Sequence, residues 1–269
     1  MTGDPEILLT NDDGIDAPGI RAMYDALEAV GSVTVVAPQT DQSAVGRSVS
    51  SRVDVAEHEL GYAVDGTPVD CVVAGLAALG PEPDIVVAGC NRGANLGEYV
   101  LGRSGTISAV VEAAFFDVPA IAASMYVDVD TESFESVTTE PADYRDAIEA
   151  TAFLVERTLE TSLYEDGGYL NVNAPAATGT PAPMRVTRPS RRYAMDARIE
   201  EGAVVLRDRI WETMDASDIT DAVGTDRRAV LEGAVSVSPL SVPHQTTQQA
   251  TLEELVATYP GNGSGGRPV

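Results

Sequence analysis

At 269 residues the chain can bury the core of one large α/β unit. Its apolar residues fall in short blocks, none approaching the roughly 18 to 20 uninterrupted positions a membrane-spanning helix needs. Its 42 acidic residues against 17 basic ones, every basic one an arginine, give a formal charge of −25. That surface repels nucleic acid and anionic membranes and suits a protein working in high salt, where charges are screened. The opening MTGDPEILLT has neither the basic segment nor the apolar core of a signal peptide, so a soluble, cytoplasmic protein with no membrane and no nucleic-acid partner is expected. Two cysteines, Cys71 and Cys90, fit no zinc motif or disulfide framework and are expected as small buried side chains. With only His58 and His244, any metal must be held mainly by oxygen.

Short β-branched or apolar runs recur as ILLT (7–10), VTVVAP (33–38), DIVVAG (84–89), AIAAS (120–124) and YLNVNAP (169–175). Their length and lack of polar alternation predict strands covered on both faces. Helix signals lie between them. Pro18-Gly19 leads into IRAMYDALEAV, with Ile20, Met23, Leu27 and Val30 at helical spacing; Thr67-Pro68-Val69-Asp70 offers a cap, a proline at the first helical position and an acid at the third. Ser104-Gly105-Thr106 opens ISAVVEAAFF, and Pro141 opens a longer helix with Tyr144, Ile148, Leu154, Val155 and Leu159 on its apolar side. This alternation predicts a three-layer α/β/α fold with a doubly wound, mostly parallel sheet.

After Pro175 the texture changes to short alternating stretches with a cluster of arginines, which predicts hairpins outside the main sheet. The expected organisation is a single domain over 1–258, with a core of about 1–184 and 233–258 and an appendage of about 185–232. AVSVSPLSV supplies one more strand, Thr251-Leu252-Glu253-Glu254 a capping box for a last helix, and 259–269 a glycine-rich, disordered tail.

In open α/β sheets ligands bind at the carboxyl ends of the strands. Here the first strand ends in Asn11-Asp12-Asp13-Gly14, the second leads to Ser43, and the DIVVAG strand runs into NRGANLG (91–97). Alone, NDDG is equally a turn, a helix cap or half of a metal site. If the strands are neighbours, Asp12, Asp13, Ser43 and Asn91 converge as an all-oxygen set suited to one divalent cation, Mg²⁺ or Mn²⁺, that also meets a phosphate. A cation relieves the repulsion between two adjacent carboxylates, which otherwise raises the pKa of one of them. Ser104, Gly105 and Thr106 at a helix start form either an ordinary cap or an anion site.

TNDDGIDAPGI, the VVAP-to-Ser43 connection, GTPVDCV (66–72), NRGANLG, SGT (104–106), LNVNAP (170–175), RVTR (185–188) and GTDRRAVLEGAVSVSPL (224–240) occur in the order of the SurE family of metal-dependent nucleotidases, which the chain resembles over most of its length. The resemblance implies a Rossmann-like core and a protruding β-hairpin with a C-terminal region used for homodimer or homotetramer assembly. It implies a 5′- and 3′-nucleotidase that releases phosphate from nucleoside monophosphates. Metal ligands map onto Asp12, Asp13, Ser43 and Asn91, and phosphate contacts onto Asn95, Ser104, Gly105 and Thr106. Two positions depart from the family pattern: Arg103, often tyrosine, and Cys90, usually aliphatic. His244 is a loose counterpart of a late histidine implicated in some members.

The expected chemistry is metal-assisted in-line hydrolysis, with Asp12 and Asp13 as catalytic carboxylates and Asp13 the better choice to accept a proton from the attacking water. Two rivals remain. Covalent catalysis by Asp12 would want a second aspartate two positions on and a lysine clamp, where the chain has Gly14 and no lysine. A non-catalytic nucleotide or metal sensor would use the same cleft for binding alone.

Overall fold

The computed structural model describes residues 3–128 and 137–242, with Ala250 and Val256. The N-terminal half alternates β1 (Glu6–Thr10), α1 (Pro18–Leu27), β2 (Ser32–Pro38), β3 (Asp54–His58), β4 (Gly61–Asp65), α2 (Pro68–Ala77), β5 (Ile85–Arg92), α3 (Glu98–Leu101), α4 (Gly105–Phe115) and β6 (Ala120–Tyr126). The second half adds α5 (Arg145–Thr158), β7 (Gly168–Pro175), β8 (Met184–Val186), β9 (Met195–Glu200), β10 (Ala203–Asp208), α6 (Asp226–Leu231) and β11 (Val235–Ser241).

Strand alternation sorts the core into two layers. Ile7 and Leu9 of β1 and Ile85 and Val87 of β5 pack with Ile20, Met23 and Leu27 of α1 and Ile148 and Val155 of α5. Leu8, Val86 and Ala88, one position out of phase, face the opposite side with Val72 of α2 and Ile107 and Val110 of α4. Each buried Leu, Ile or Val contributes roughly 1.5–3 kcal/mol, so both faces of the sheet are held by helices. The sheet has nine strands in the order β3-β4-β2-β1-β5-β6-β7-β11-β8. Six of its pairings are parallel, and only β3–β4 and β7–β11 are antiparallel. From β1 the chain winds outward to β2, whereas from β5 it winds the other way to β6. The crevice beyond β1 and β5 is therefore the topological switch point, where such sheets bind ligands.

The helix starts follow their local sequence. Thr67 caps α2 through its hydroxyl, which accepts from Asp70 N at 3.2 Å, while Asp70 Oδ2 accepts from Thr67 N at 2.8 Å. Ser104 Oγ caps α4 by accepting from Ile107 N at 3.1 Å. A 3₁₀ turn over Pro141–Tyr144 leads into α5.

Several expectations are revised. The helix after Pro18 ends at Leu27, and Val30 packs on the core from beyond it. The DIVVAG strand continues through Asn91 and Arg92, which puts Asn91 on the strand itself. The antiparallel pair β3–β4 went unread because DVAEH is short, mixes polar with apolar residues and lies largely exposed on the edge of the sheet. Within 185–232 the outlying part is narrower than expected. Met184–Val186 pairs with β11 as the last strand of the main sheet, and α6 lies against β11 and β7. Among the described residues, only the β9–β10 hairpin forms a separate two-stranded sheet. Its two-residue turn, Glu201-Gly202, has positive φ at both positions (50° and 85°), the geometry that matches strand twist and favours glycine second. The capping box at Thr251, the tail and His244 lie outside the described residues. No helix among the described residues is long and apolar enough to cross a membrane.

Candidate active site

Beyond the carboxyl ends of β1 and β5 opens a cleft of about 450 Å³, whose walls include Asp12, Ser43, Asn91, Asn95 and Ser104. The turn after β1 is fixed by the chain itself. Asn11 Nδ2 donates to Gly14 O at 2.7 Å, Gln42 N donates to Asp12 O at 2.7 Å, and Ile15 N donates to Pro38 O at 2.8 Å. These bonds tie the β1 and β2 ends together and bring Ser43 beside the aspartates.

Asp12 is buried and doubly held. Thr106 Oγ1 donates to its Oδ1 at 2.6 Å, and Thr106 N donates to its Oδ2 at 3.2 Å. The helix start thus meets the carboxylate of β1 directly. Gly105 permits the approach, because a Cβ there would fall 2.8 Å from Asp12 Cβ and 2.9 Å from Oδ2. With both oxygens accepting from Thr106, Asp12 is poorly disposed as a free nucleophile. Asp13 is half-buried, and its Oδ2 accepts from the peptide N–H of Arg92 at 2.8 Å, while its Oδ1 has no hydrogen bond among the described residues. Burial, and then the charge of Asp12, push the Asp13 carboxyl up to about 7. Asp12 is raised as well, by burial, against the lowering effect of its Thr106 bonds.

Asn91 donates through Nδ2 to Gly93 O, which leaves its Oδ1 as an acceptor at the cleft. Ser43 donates through Oγ to Asp41 Oδ1 at 2.6 Å, and Asp41 Oδ1 also accepts from Ser43 N at 2.8 Å. Two carboxylates, a hydroxyl and an amide oxygen form a hard donor set. The upward shift of two adjacent buried carboxyls is the electrostatic conflict that a divalent cation removes, so these residues fit such an ion.

Asn95 is buried and anchored on all sides. Its Nδ2 donates to Ser124 Oγ at 3.0 Å and to Thr106 Oγ1 at 3.3 Å, its N donates to Asn173 Oδ1 at 2.7 Å, and its carbonyl accepts from Asn171 Nδ2 at 3.0 Å. Strand period two puts Asn171 and Asn173 of β7 on one face, which explains the spacing of LNVNAP. Asp226 closes the loop from behind, accepting from Gly97 N at 2.7 Å and Ser190 N at 2.9 Å. The neighbouring Arg227, fully buried, donates to Leu96 O at 3.3 Å.

Of the residues singled out from sequence, Asp12, Ser43, Asn91, Asn95 and Ser104 line one cleft. Asp13 adjoins them, while Gly105 and Thr106 stand behind Asp12. Sequence reasoning missed Asp41, a third nearby carboxylate whose charge raises both Asp12 and Asp13. Its spacing two before Ser43 is the Asx-turn signal that could have found it. Cys71 and Cys90 are both buried free thiols, and burial raises each above its ordinary value.

A mostly parallel α/β sheet with an oxygen-lined cleft at its switch point defines a class of protein built to bind hard cations and anionic ligands there. Within that class the chain belongs to the SurE family, since the family model described as "Survival protein SurE" matches residues 7–196. It is similar to proteins named 5′-nucleotidase SurE from Haloarcula marismortui (57% identity, 97% of this chain and 98% of that protein) and Syntrophotalea carbinolica (42% identity, 87% and 90%). Its fold is similar to the crystal structure of a SurE protein from Aquifex aeolicus, at a TM-score of 0.73 with 31% identity over 94% of this chain and 98% of that one.

Proposed function

We propose that the chain is a 5′-nucleotidase that hydrolyses nucleoside monophosphates to nucleoside and phosphate, accepting 3′ esters too, with one divalent cation, Mg²⁺ or Mn²⁺. The observation that carries this reading is the meeting of Asp12 from the β1 end with Asn91 on β5 at the switch point, among relatives named for that activity. Asp12, Asp13, Ser43 and Asn91 would hold the ion. When bound, it supplies Lewis-acid polarisation of the phosphate and lowers the pKa of water. The remaining work falls to the protein. Asn95 and Ser104 would face the phosphate from the cleft wall, while Gly105 and Thr106 hold Asp12 from behind, and the Asn95–Thr106 hydrogen bond keeps the two groups rigid so that little reorganisation is needed as charge develops. Asp13 Oδ1 would accept the proton of the attacking water, the carboxylate being oriented by the Arg92 N–H on its Oδ2.

The acidic surface fits catalysis in high salt. Assembly into a dimer or tetramer runs through the β9–β10 hairpin, where Ile199, Val204 and Leu206 are all exposed. The test is phosphate release from a panel of 5′- and 3′-nucleoside monophosphates in high salt, with cation, with chelator, and with Asp12→Asn and Asp13→Asn. Release that needs the cation and collapses in both variants is expected. Release that survives chelation or both substitutions would overturn the site.

A further inference from the structure

Beside the cleft, which Tyr99 and Trp211 wall on the hairpin side, lies a second cavity of about 620 Å³ that shares none of its lining residues. It is bounded by the 188–192 segment, by Ala222 and Thr225, and by Glu98 at the start of α3. Three of the chain's seventeen arginines, Arg188, Arg191 and Arg192, line it within five positions, and the proposed hydrolysis uses none of them.

The carboxylates nearby do not cancel these charges. Arg188 donates to two backbone carbonyls, Val223 O at 3.3 Å and Gly224 O at 3.5 Å, and has no carboxylate partner among the described residues. Arg191 meets Glu98, the one acid lining the cavity, at 2.9 Å, with its own side chain 86% exposed. Arg192 reaches Asp221 at 3.4 Å and Thr220. Behind Arg192 stands a fourth cation. Arg227 is fully buried, donates to Arg192 O at 3.5 Å, and has no hydrogen-bond partner at Nε among the described residues. The adjacent Asp226 does not bond its guanidinium, because that carboxylate accepts instead from the backbone N–H groups of Gly97, Ser190 and Arg227. A buried cation is screened less than a surface one, so this corner stays positive in a chain whose formal charge is −25.

We propose that this cavity is a second anion site, separate from the cleft, that takes a phosphoryl group on Arg188 and Arg191 with Arg192 beside them. Each guanidinium presents N–H donors in a planar fork, which match two oxygens of an oxyanion and give it an advantage over a spherical chloride. A carboxylate has two oxygens and is filled by one fork, whereas a phosphoryl group has three acceptor oxygens and meets more than one arginine at once. Glu98 is no obstacle. Its bridge to Arg191 is an exposed pair of the kind that contributes little, so an incoming anion replaces it at low cost. A volume of about 620 Å³ lies within the range of small-ligand clefts, about 300–1,000 Å³, which admits free phosphate or the phosphoryl end of a nucleoside triphosphate.

The experiment is equilibrium dialysis of inorganic phosphate against the native chain in high potassium chloride, with chelator present so that no cation retains phosphate in the cleft. The same titration is run on Asp12→Asn and on Arg188→Gln with Arg191→Gln. Arg192 is kept, because removing it would strand the buried Asp221. The native chain and Asp12→Asn should each bind one phosphate, and the arginine double variant should bind it about tenfold more weakly or worse. Displacement of bound phosphate by ATP at lower concentrations than by phosphate itself would assign the larger molecule, and weaker displacement would assign free phosphate. No binding by the native chain, or equal binding by the double variant, would overturn the site while leaving the hydrolytic reading intact. Should the double variant fail to fold, competition in the native chain decides: the tetrahedral dianion sulfate should displace phosphate saturably, and equal displacement by added chloride would overturn the site.

Discussion

The cleft is assembled from two regions of opposite character. At the sheet edge, Asp12, Asn95 and Thr106 are buried, hydrogen-bonded to one another or through a shared partner, and fixed to β1, β7 and α4. At the hairpin foot, Trp211 is half-exposed in a short 3₁₀ turn, and the strands above it carry Ile199, Val204 and Leu206 into solvent. A preorganised polar network is costly to disturb, because each lost partner strands a buried group. An exposed apolar face tolerates change within the chain and matters for what it meets outside. Perturbations of the sheet edge should therefore act on chemistry and stability, and perturbations of the hairpin on binding and assembly.

The largest effect is expected from Asp12→Asn, which weakens the grip of Thr106 and removes one of the two adjacent charges. Phosphate release should fall on the order of a thousandfold, the scale of the several kcal/mol a bound cation supplies. Next is Gly105→Ala, whose new Cβ must displace the Asp12 side chain 2.8 Å away. Overpacking of this kind costs about 1–3 kcal/mol in denaturant unfolding. Activity should fall by more than the stability loss accounts for, roughly ten- to a hundredfold, because the displaced group is Asp12. Asn173→Ala comes third. It leaves the buried Asn95 N–H without its 2.7 Å acceptor, at a cost of about 1–3 kcal/mol measured by thermal unfolding. The smallest effect on the folded chain is expected from Ile199→Asp with Leu206→Asp. Stability per chain should move within about 0.5 kcal/mol, while the mass by light scattering should drop to that of a smaller assembly. Equal losses of activity from the hairpin pair and from Gly105→Ala would erase the distinction between the two regions.

Much of the sheet edge was legible because local sequence dictates it. ILLT ending in NDDG, the Thr67-Pro68 cap and SGT at a helix start all carry short-range signals, and each element forms where expected. What sequence could not supply was distance. That Thr106 grips Asp12, ninety-four positions earlier, follows from packing of α4 against the sheet. The clamp from Asp226 to Gly97 spans 129 positions and has no local signature. Likewise, MRV is too short and too exposed to read as a strand from sequence, yet its partner β11 recruits it to the sheet. Trp211 gave no signal at all, since a single aromatic residue after a hairpin looks the same whether it faces a cleft or solvent.

The most direct test is calorimetric titration of Mn²⁺ into the native chain, Asp12→Asn and Asn91→Ala, one substitution at each of the two elements that meet at the switch point. The expected result is a single site per chain in the native protein, lost or severely weakened in both variants while their folds persist. Undiminished Mn²⁺ binding in both variants would contradict a cation site built from the ends of β1 and β5.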